Sequence, residues 1–317
     1  MKQLIEHIAV MGLLFFAISV APGISQVRTG ASAGQFRVIR IASVPDATIW
    51  IDGVRFGKTG ADGKLEVRTI STGGHSVRVR ADGFTERVLT IAPSQKGEIR
   101  ADLTKTTDAA ELAFQEAERL TLVDREKAID AYKKAIKLRP AYPEAFVALA
   151  RTQSETGDLE DAERAIASAR KLRPAYAEAS AVLGRIQKDL GQEDKAIAAF
   201  QRAITEGKGF QPEALAGLGL LYKEKAEGFG GSGQFEEEQA NYVEAAKYLH
   251  RSVKQISGAP DAVVIYQLLG LVYERMQRYQ DAIAIYEEFL RVFPDSSEAT
   301  AIRSFIVQLK KQSINDR

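Results

Sequence analysis

Cysteine is absent from the 317 residues, and the chain has only three histidines and one tryptophan. Without cysteine there is no disulfide, no thiolate metal ligand, no cysteine nucleophile and no N-terminal cysteine for lipid attachment. His7, His75 and His250 are too scattered for metal-ligand spacing. A dominant charge sign is also missing: 43 Lys and Arg face 42 Asp and Glu, a net charge of +1. No whole-chain field therefore draws in nucleic acid or an anionic membrane, and nucleic acid is not an expected partner. The N-terminal apolar run "IAVMGLLFFAISV", residues 8–20, falls short of the roughly 20 residues a membrane helix needs. Lys2 precedes it and the small residues of "APGISQ" follow, which together read as a secretory signal peptide over residues 1–25. Pro22 would block a cut directly after Ala21, so cleavage is expected after Gly23 or Ser25. Residues 26–35 then form a linker. The expected location is a bacterial periplasm or the cell exterior, with no transmembrane helix in the mature chain.

The remaining composition, 45% hydrophobic and 27% charged, is that of ordinary globular material, enough for two domains. From residue 36 to about residue 104 the pattern has period two. "FRVIRIA", "ATIWID", "GKLEVR", "HSVRVRA", "ERVLTIA" and "GEIRADL" are separated by clusters of turn residues. Short strands at this spacing predict a small antiparallel β-sandwich with one apolar and one wet face. Arg37, Arg40, Arg68, Arg78 and Arg80 fall on the wet face, where they read as solvated, and Trp50 reads as a core residue.

Gly57-Lys58-Thr59 has the form of the end of a phosphate-binding loop. That loop needs Gly-x-x-x-x-Gly-Lys-Ser/Thr, so that backbone N–H groups curl around the phosphate and lead into a helix N-terminus. Gly53 stands one residue too close, and Leu65 and Val67 beyond alternate as in a strand. The stretch reads instead as two β connections. Asp52-Gly53 is a hairpin turn pair, and Gly57 to Gly63 is the next connection, with Lys58 facing solvent.

Ser43-x-Pro45-Asp46-Ala47-x-Ile49-x-Ile51-Asp52-Gly53, Gly57-x-Thr59, Ile70-x-x-Gly73-x-His75-x-Val77-x-Val79 and Gly83-Phe84 resemble the PEGA domain, a small β-sandwich of bacterial and archaeal surface proteins. The signature Pro-Glu-Gly-Ala is here Pro45-Asp46-Ala47, one glycine shorter. The resemblance implies an envelope-associated module rather than a reaction.

From Thr107 the period becomes helical and the chain repeats itself. "AIDAYKKAIKLRPAYPEAF", residues 128–146, recurs as "AERAIASARKLRPAYAEAS", residues 162–180, with Pro140 and Pro174 34 residues apart. That period and pattern resemble the tetratricopeptide (TPR) repeat, a pair of antiparallel helices. Ala162, Ala196 and Ala282 hold its small position, and Ile166, Phe200 and Tyr286 the large one four residues later. Five units are expected, over residues 109–142, 143–176, 177–210, 211–259 and 260–296, with a capping helix over 297–312. The first unit departs from the pattern with Gln115 and Glu116 where leucine and a small residue usually lie. The fourth carries an insertion whose Gly/Ser tip, Gly228 to Gly233, reads as a loop. The fold class is thus multidomain, a small all-β sandwich followed by an all-α TPR solenoid.

The resemblance implies a concave groove lined by the first helix of each unit. Carried over by position, its residues are Val147, Arg151 and Ser154; Ala181, Arg185 and Lys188; Ala216, Leu220 and Lys223; and Gln267, Leu271 and Glu274. Arg151, Arg185, Lys188 and Lys223 would make one half basic, and Leu220 and Leu271 the other half apolar. The lysine/asparagine clamp for C-terminal carboxylates is missing at these positions, so chaperone tails are not expected partners. No triad, paired carboxylates or metal cluster stands out, and no cofactor is expected. The leading expectation is an exported, non-enzymatic scaffold whose groove binds a protein or peptide while the sandwich attaches to an envelope component. The competing expectation is a cell-wall or carbohydrate-binding protein, in which the sandwich binds an envelope polymer and the repeats oligomerise.

Overall fold

A computed structural model describes residues 36–71 and 73–315. The expected signal peptide and linker lie outside the described residues. Seven strands are described: β1 (Phe36–Ala42), β2 (Thr48–Ile51), β3 (Val54–Lys58), β4 (Lys64–Ser71), β5 (His75–Arg80), β6 (Arg87–Ile91) and β7 (Gly97–Arg100). They form two sheets, ordered β4-β1-β7 and β3-β2-β5-β6. Alternate side chains point inward, so Ile39, Ile41, Ile49, Ile51, Val77, Val79 and Ile91 meet in a shared core between the sheets. Pairing is antiparallel except between β1 and β7, which run parallel. The sandwich is therefore mixed rather than wholly antiparallel, because the chain leaves β6 in one sheet and crosses to the other before laying β7 beside β1.

Asp52 and Gly53 form the expected hairpin turn, with φ of 53° and 83°. The return strand β3 starts at once, which corrects the sequence reading at Gly57 and Lys58. Both are strand residues, opposite Ile49 and Thr48, and a register shift between Ile49 and Trp50 is taken up beside Gly57, whose φ is 143°. Lys58 does face solvent. The true connection begins at Thr59, whose buried hydroxyl donates to the Val44 carbonyl (2.7 Å) and accepts from the Ala47 N–H (2.8 Å).

Eleven helices are described after the sheets: α1 (Ala109–Leu120), α2 (Arg125–Leu138), α3 (Pro143–Thr156), α4 (Leu159–Leu172), α5 (Ala177–Asp189), α6 (Glu193–Glu206), α7 (Pro212–Gly231), α8 (Phe235–Ile256), α9 (Ala262–Arg275), α10 (Tyr279–Val292) and α11 (Ala299–Asn315). Local chemistry sets their ends. Asp108 caps α1 by accepting from the N–H groups of Ala110 and Glu111, Pro143 and Pro212 open α3 and α7, and Gly157 closes α3 in the left-handed conformation. Ala162, Ala196 and Ala282 are fully buried, as the repeat pattern requires. Phe200 lies between α5 and α7 at Gly184 and Gly217, and a Cβ at either glycine would overlap its ring. Ile302, Ile306 and Leu309 of α11 join the last hydrophobic cluster.

The fourth unit differs from its sequence reading. The Gly/Ser stretch is helical through Gly231, and α8 resumes at Phe235. With 20 and 22 residues, α7 and α8 absorb the insertion as extra helical turns, making a protruding hairpin rather than a loop.

Candidate functional site

The first helices of successive units, α3, α5 and α7, touch one another and form the inner layer of the solenoid. Residue two of each is a glutamate: Glu144, Glu178 and Glu213. Arg151, at the middle of α3, reaches across α5 to Glu213 with a two-pronged pairing of 2.6 and 2.5 Å, and lies 3.4 Å from Glu178. The side chains of Arg151, Glu178 and Glu213 are all buried. Burial alone would lower the pKa of Arg151, but Glu213 and then Glu178 more than offset it and hold the guanidinium above its ordinary value. Burial pushes the Glu178 carboxyl up to about 8, against the pull of Arg151 and Arg78; the Tyr176 hydroxyl donates to it at 3.3 Å.

The β-sandwich occupies this inner surface. Because strand side chains alternate, Ile49, Ile51, Val77 and Val79 fill the sandwich while Trp50, Arg78 and Arg80 project from the other side of the same sheet, toward the helices. Trp50 pairs directly with Arg78 across β2 and β5. The Arg78 guanidinium lies 4.1 Å from the Trp50 ring centre, and that of Arg80 lies 4.9 Å from the ring centre of Phe114 on α1. Arg80 donates to Glu118 of α1 (2.7 Å) and to Glu86 (2.8 Å), and Arg78 to Glu86 (3.2 Å). These carboxylates outweigh the desolvation of Arg80 and keep its pKa above the ordinary value. Trp50, Arg78 and Arg80 are 4%, 5% and 8% exposed, so this is a closed interface. A cavity of about 30 Å³, room for roughly one water, remains between Arg78, Arg80, Arg151 and Glu178.

Three further contacts extend the seat along the groove. Gln115 of α1, itself buried, accepts from the Gly83 N–H and donates to the Phe84 carbonyl. Val54 and Phe56 of the β2–β3 hairpin join the apolar cluster containing Ala216, Leu220 and Ala262, and Phe56 also packs on the sandwich core. Gly258, before α9, approaches Thr69 of β4 so closely that a Cβ would overlap its side chain.

Two readings of exposure drawn from the sequence are corrected. Of the five arginines read as a solvated face, Arg78 and Arg80 are buried against the solenoid. Arg37 is buried as well, donating to the carbonyls of Ala92, Pro93, Gln95 and Gly73. Arg40 and Arg68 are the solvated ones, and both pair with Glu66. Trp50 is buried, as expected, but on the outer side of its sheet under Arg78 and not in the sandwich core.

The expected groove residues fall into three groups. Val147, Ala181 and Ala216 are fully buried, and Arg151 is a locked ion-pair partner rather than a free groove cation. Leu220, Gln267 and Leu271 are half-buried, Leu220 within the cluster that receives the hairpin. Toward the C-terminal ends of the first helices lie Ser154, Arg185, Lys188, Lys223 and Glu274, also half-buried. Lys188 pairs with Glu224 (3.0 Å) and Lys223 with Glu227 (2.8 Å). Glu274 accepts from the Tyr286 hydroxyl (2.7 Å), and burial raises its pKa. Burial and the neighbouring Arg151 lower the pKa of Arg185, and its Nη2 is buried without a hydrogen-bond partner. The acidic column Glu144, Glu178 and Glu213 was not among the expected residues. Its signal was the recurring "PEA", "AEA" and "PEA" at the start of each first helix. Among the described residues no group of three or more His, Asp or Glu is placed to hold a metal ion, and no helix is long and apolar enough to cross a membrane.

The molecule is thus an all-β module seated on the inner face of an α-helical repeat array. Residues 36–107 match the PEGA domain, and residues 124–186, 177–206 and 224–295 match tetratricopeptide repeats, so the chain carries a PEGA domain followed by TPR repeats. No curated protein matches the sequence. Among solved structures, yeast Tom70 is 17% identical with a TM-score of 0.51, over 65% of this chain and 41% of that one. That likeness shows a shared helical-repeat fold. A MamA protein is 23% identical (TM-score 0.43, 61% of this chain, 96% of that one). A TPR protein of Thermus thermophilus is 19% identical (TM-score 0.46, 63% of this chain, 100% of that one).

Proposed function

We propose that the chain is a non-enzymatic scaffold, in which the TPR array binds a protein or peptide partner and the PEGA domain joins the assembly to another component of the cell envelope. One observation carries the reading: the inner face of the array already buries a folded protein surface, its own β module, through ion pairs, hydrogen bonds and apolar contacts. A surface of that chemistry is suited to holding protein. The half-buried residues Arg185, Lys188 and Lys223, toward the C-terminal ends of the first helices, are the groove positions this reading assigns to a partner. Export and attachment to the envelope rest on the N-terminal apolar run and on the PEGA match. The competing polymer-binding reading is less favoured, because Trp50, Arg78 and Arg80, an aromatic and two cations on one sheet face, are buried.

The test is affinity capture from an envelope fraction with the full chain and with an Arg185→Glu/Lys188→Glu/Lys223→Glu variant. A discrete partner held by the first and lost by the second supports the scaffold. Equal recovery by both would remove these residues from the binding surface.

A further inference from the structure

We propose that the seat formed by Phe114, Glu118 and Glu178 is a recognition site for an arginine-bearing, aromatic segment of a partner protein, and that the PEGA face carrying Trp50, Arg78 and Arg80 is its resident occupant. This rests on the reading that the solenoid binds protein, and it names the chemistry of the partner and the device that controls access.

The seat is built for arginine. Glu118 on α1 takes the Arg80 guanidinium at 2.7 Å, and Phe114, one turn earlier, offers its ring to the same group at 4.9 Å. A carboxylate beside an aromatic face suits the planar, weakly hydrated guanidinium better than the compact ammonium of lysine. Farther along the groove Glu178 lies within the electrostatic reach of Arg78, with the cavity between them. Glu118 belongs to the solenoid and Arg80 to the sandwich, so this ion pair runs between the two modules, while Arg78 donates to Glu86 within the sandwich and faces Glu178 across the cavity.

Such an interface sets buried charges beside the apolar contacts of the hairpin. Buried ion pairs select a partner's identity and register more than they add stability over an apolar surface of the same size. The connection also allows release. Thr104 and Thr106 are hydrogen-bonded to Thr85 and Gly83, so this segment moves with the sandwich, and α1 begins at Ala109 behind its Asp108 cap. A pivot therefore falls at residues 107–108. Rotation about it exchanges the Gln115 hydrogen bonds to Gly83 and Phe84 for water, lifts Val54, Phe56 and Thr69 from α7–α9 and frees Glu118 and Glu178 for a competing segment.

Trp50, the only tryptophan in the chain, reports the state of the seat. The experiment uses the full chain and a tryptophan-free probe, acetyl-Phe-Arg-Val-Arg-amide, with a lysine version as control. In the wild type, Trp50 emission should be blue-shifted and shielded from iodide. In Arg78→Ser/Arg80→Ser it should shift to the red and be quenched several-fold more, with helical circular dichroism unchanged. That open variant should bind the arginine probe at least tenfold more tightly than the wild type and prefer it to the lysine probe, and Glu118→Gln/Glu178→Gln on the same background should abolish binding. A charge swap, Arg80→Glu with Glu118→Arg, should restore the shielding that Arg80→Glu alone removes, separating a specific latch from general unfolding. Three results would each overturn the proposal: iodide-accessible Trp50 in the wild type, no probe binding by the open variant, or binding that survives loss of the two carboxylates. Partner capture through Arg185, Lys188 and Lys223 is a separate measurement, so its failure would strike the scaffold reading and leave these outcomes to be judged alone.

Discussion

Replacing Arg151 with methionine should destabilise the folded chain by about 3–5 kcal/mol, the usual consequence of removing one partner of a buried ion pair. The figure follows from what the guanidinium leaves behind. Glu213 is 3% exposed and loses both of its short charge-assisted hydrogen bonds, and the buried Glu178 carboxyl loses the longer one, at 3.4 Å. Glu213 has almost no surface from which to reach water. Glu213→Gln should cost less, about 1–3 kcal/mol, since the amide oxygen still accepts from Arg151. Arg151→Met combined with Glu213→Met should recover most of the loss, giving a coupling of about 2–3 kcal/mol. Urea unfolding, followed by circular dichroism for the helices and by Trp50 fluorescence for the interface, measures all three variants. A loss below about 1 kcal/mol in the single methionine variant, or additive effects in the double one, would show that Arg151 is solvated and that the buried-pair reasoning is mistaken.

Arg37→Ala, which strips four carbonyls of one shared donor, should lower sandwich stability by about 3 kcal/mol, seen as earlier cleavage at residues 92–97 in limited proteolysis. Gly184→Leu forces a side chain into the Phe200 ring and should cost about 1–3 kcal/mol, read as a lower urea midpoint; an unchanged midpoint would mean that the ring is free to move aside. Glu178 titrates higher in the folded chain, about 8, than its ordinary 4.5. Its contribution is therefore fully present below the ordinary carboxylate range and is lost as pH rises through about 8. The wild-type midpoint should fall across that window, and Glu178→Gln should flatten the profile.

The repeats were legible because their signal is local and recurrent. Pro140 with Pro174, and Ala162 with Ala196, occur in the same phase, and each occurrence supports the others. The β2–β3 hairpin was half legible: Asp52-Gly53 announced the turn, but "VRFGK" contains a glycine and two cations and has no clean alternation, so β3 was missed. The insertion was misread because Gly228 to Gly233 has loop composition, while packing of α7 on α8, including Gly230 against Glu238, keeps it helical. Seating of the sandwich in the groove was not legible. Arg78 and Arg80 alternate with valines as any solvated strand face would, and nothing periodic links them to Glu118 or Glu178. One clue was present: Gln115 breaks the repeat pattern of the first unit, and in the fold it grips the backbone of Gly83 and Phe84.

The Arg151–Glu213 pair joins the second unit to the fourth, across the intervening third. Tandem arrays usually lengthen or shorten by whole repeats, since each repeat meets only its immediate neighbours. Here a deleted repeat between residues 151 and 213 would bring α9, which begins Ala262-Val263, to the place of α7 and leave Arg151 without its two-pronged carboxylate, whereas an added copy of the third unit would supply an equivalent glutamate. Either would change the span that the sandwich bridges from α1 to α9. Loss of a repeat in this stretch is therefore opposed by the ion pair and gain by the span of the sandwich, so copies could be gained freely only beyond the contacts of the seat.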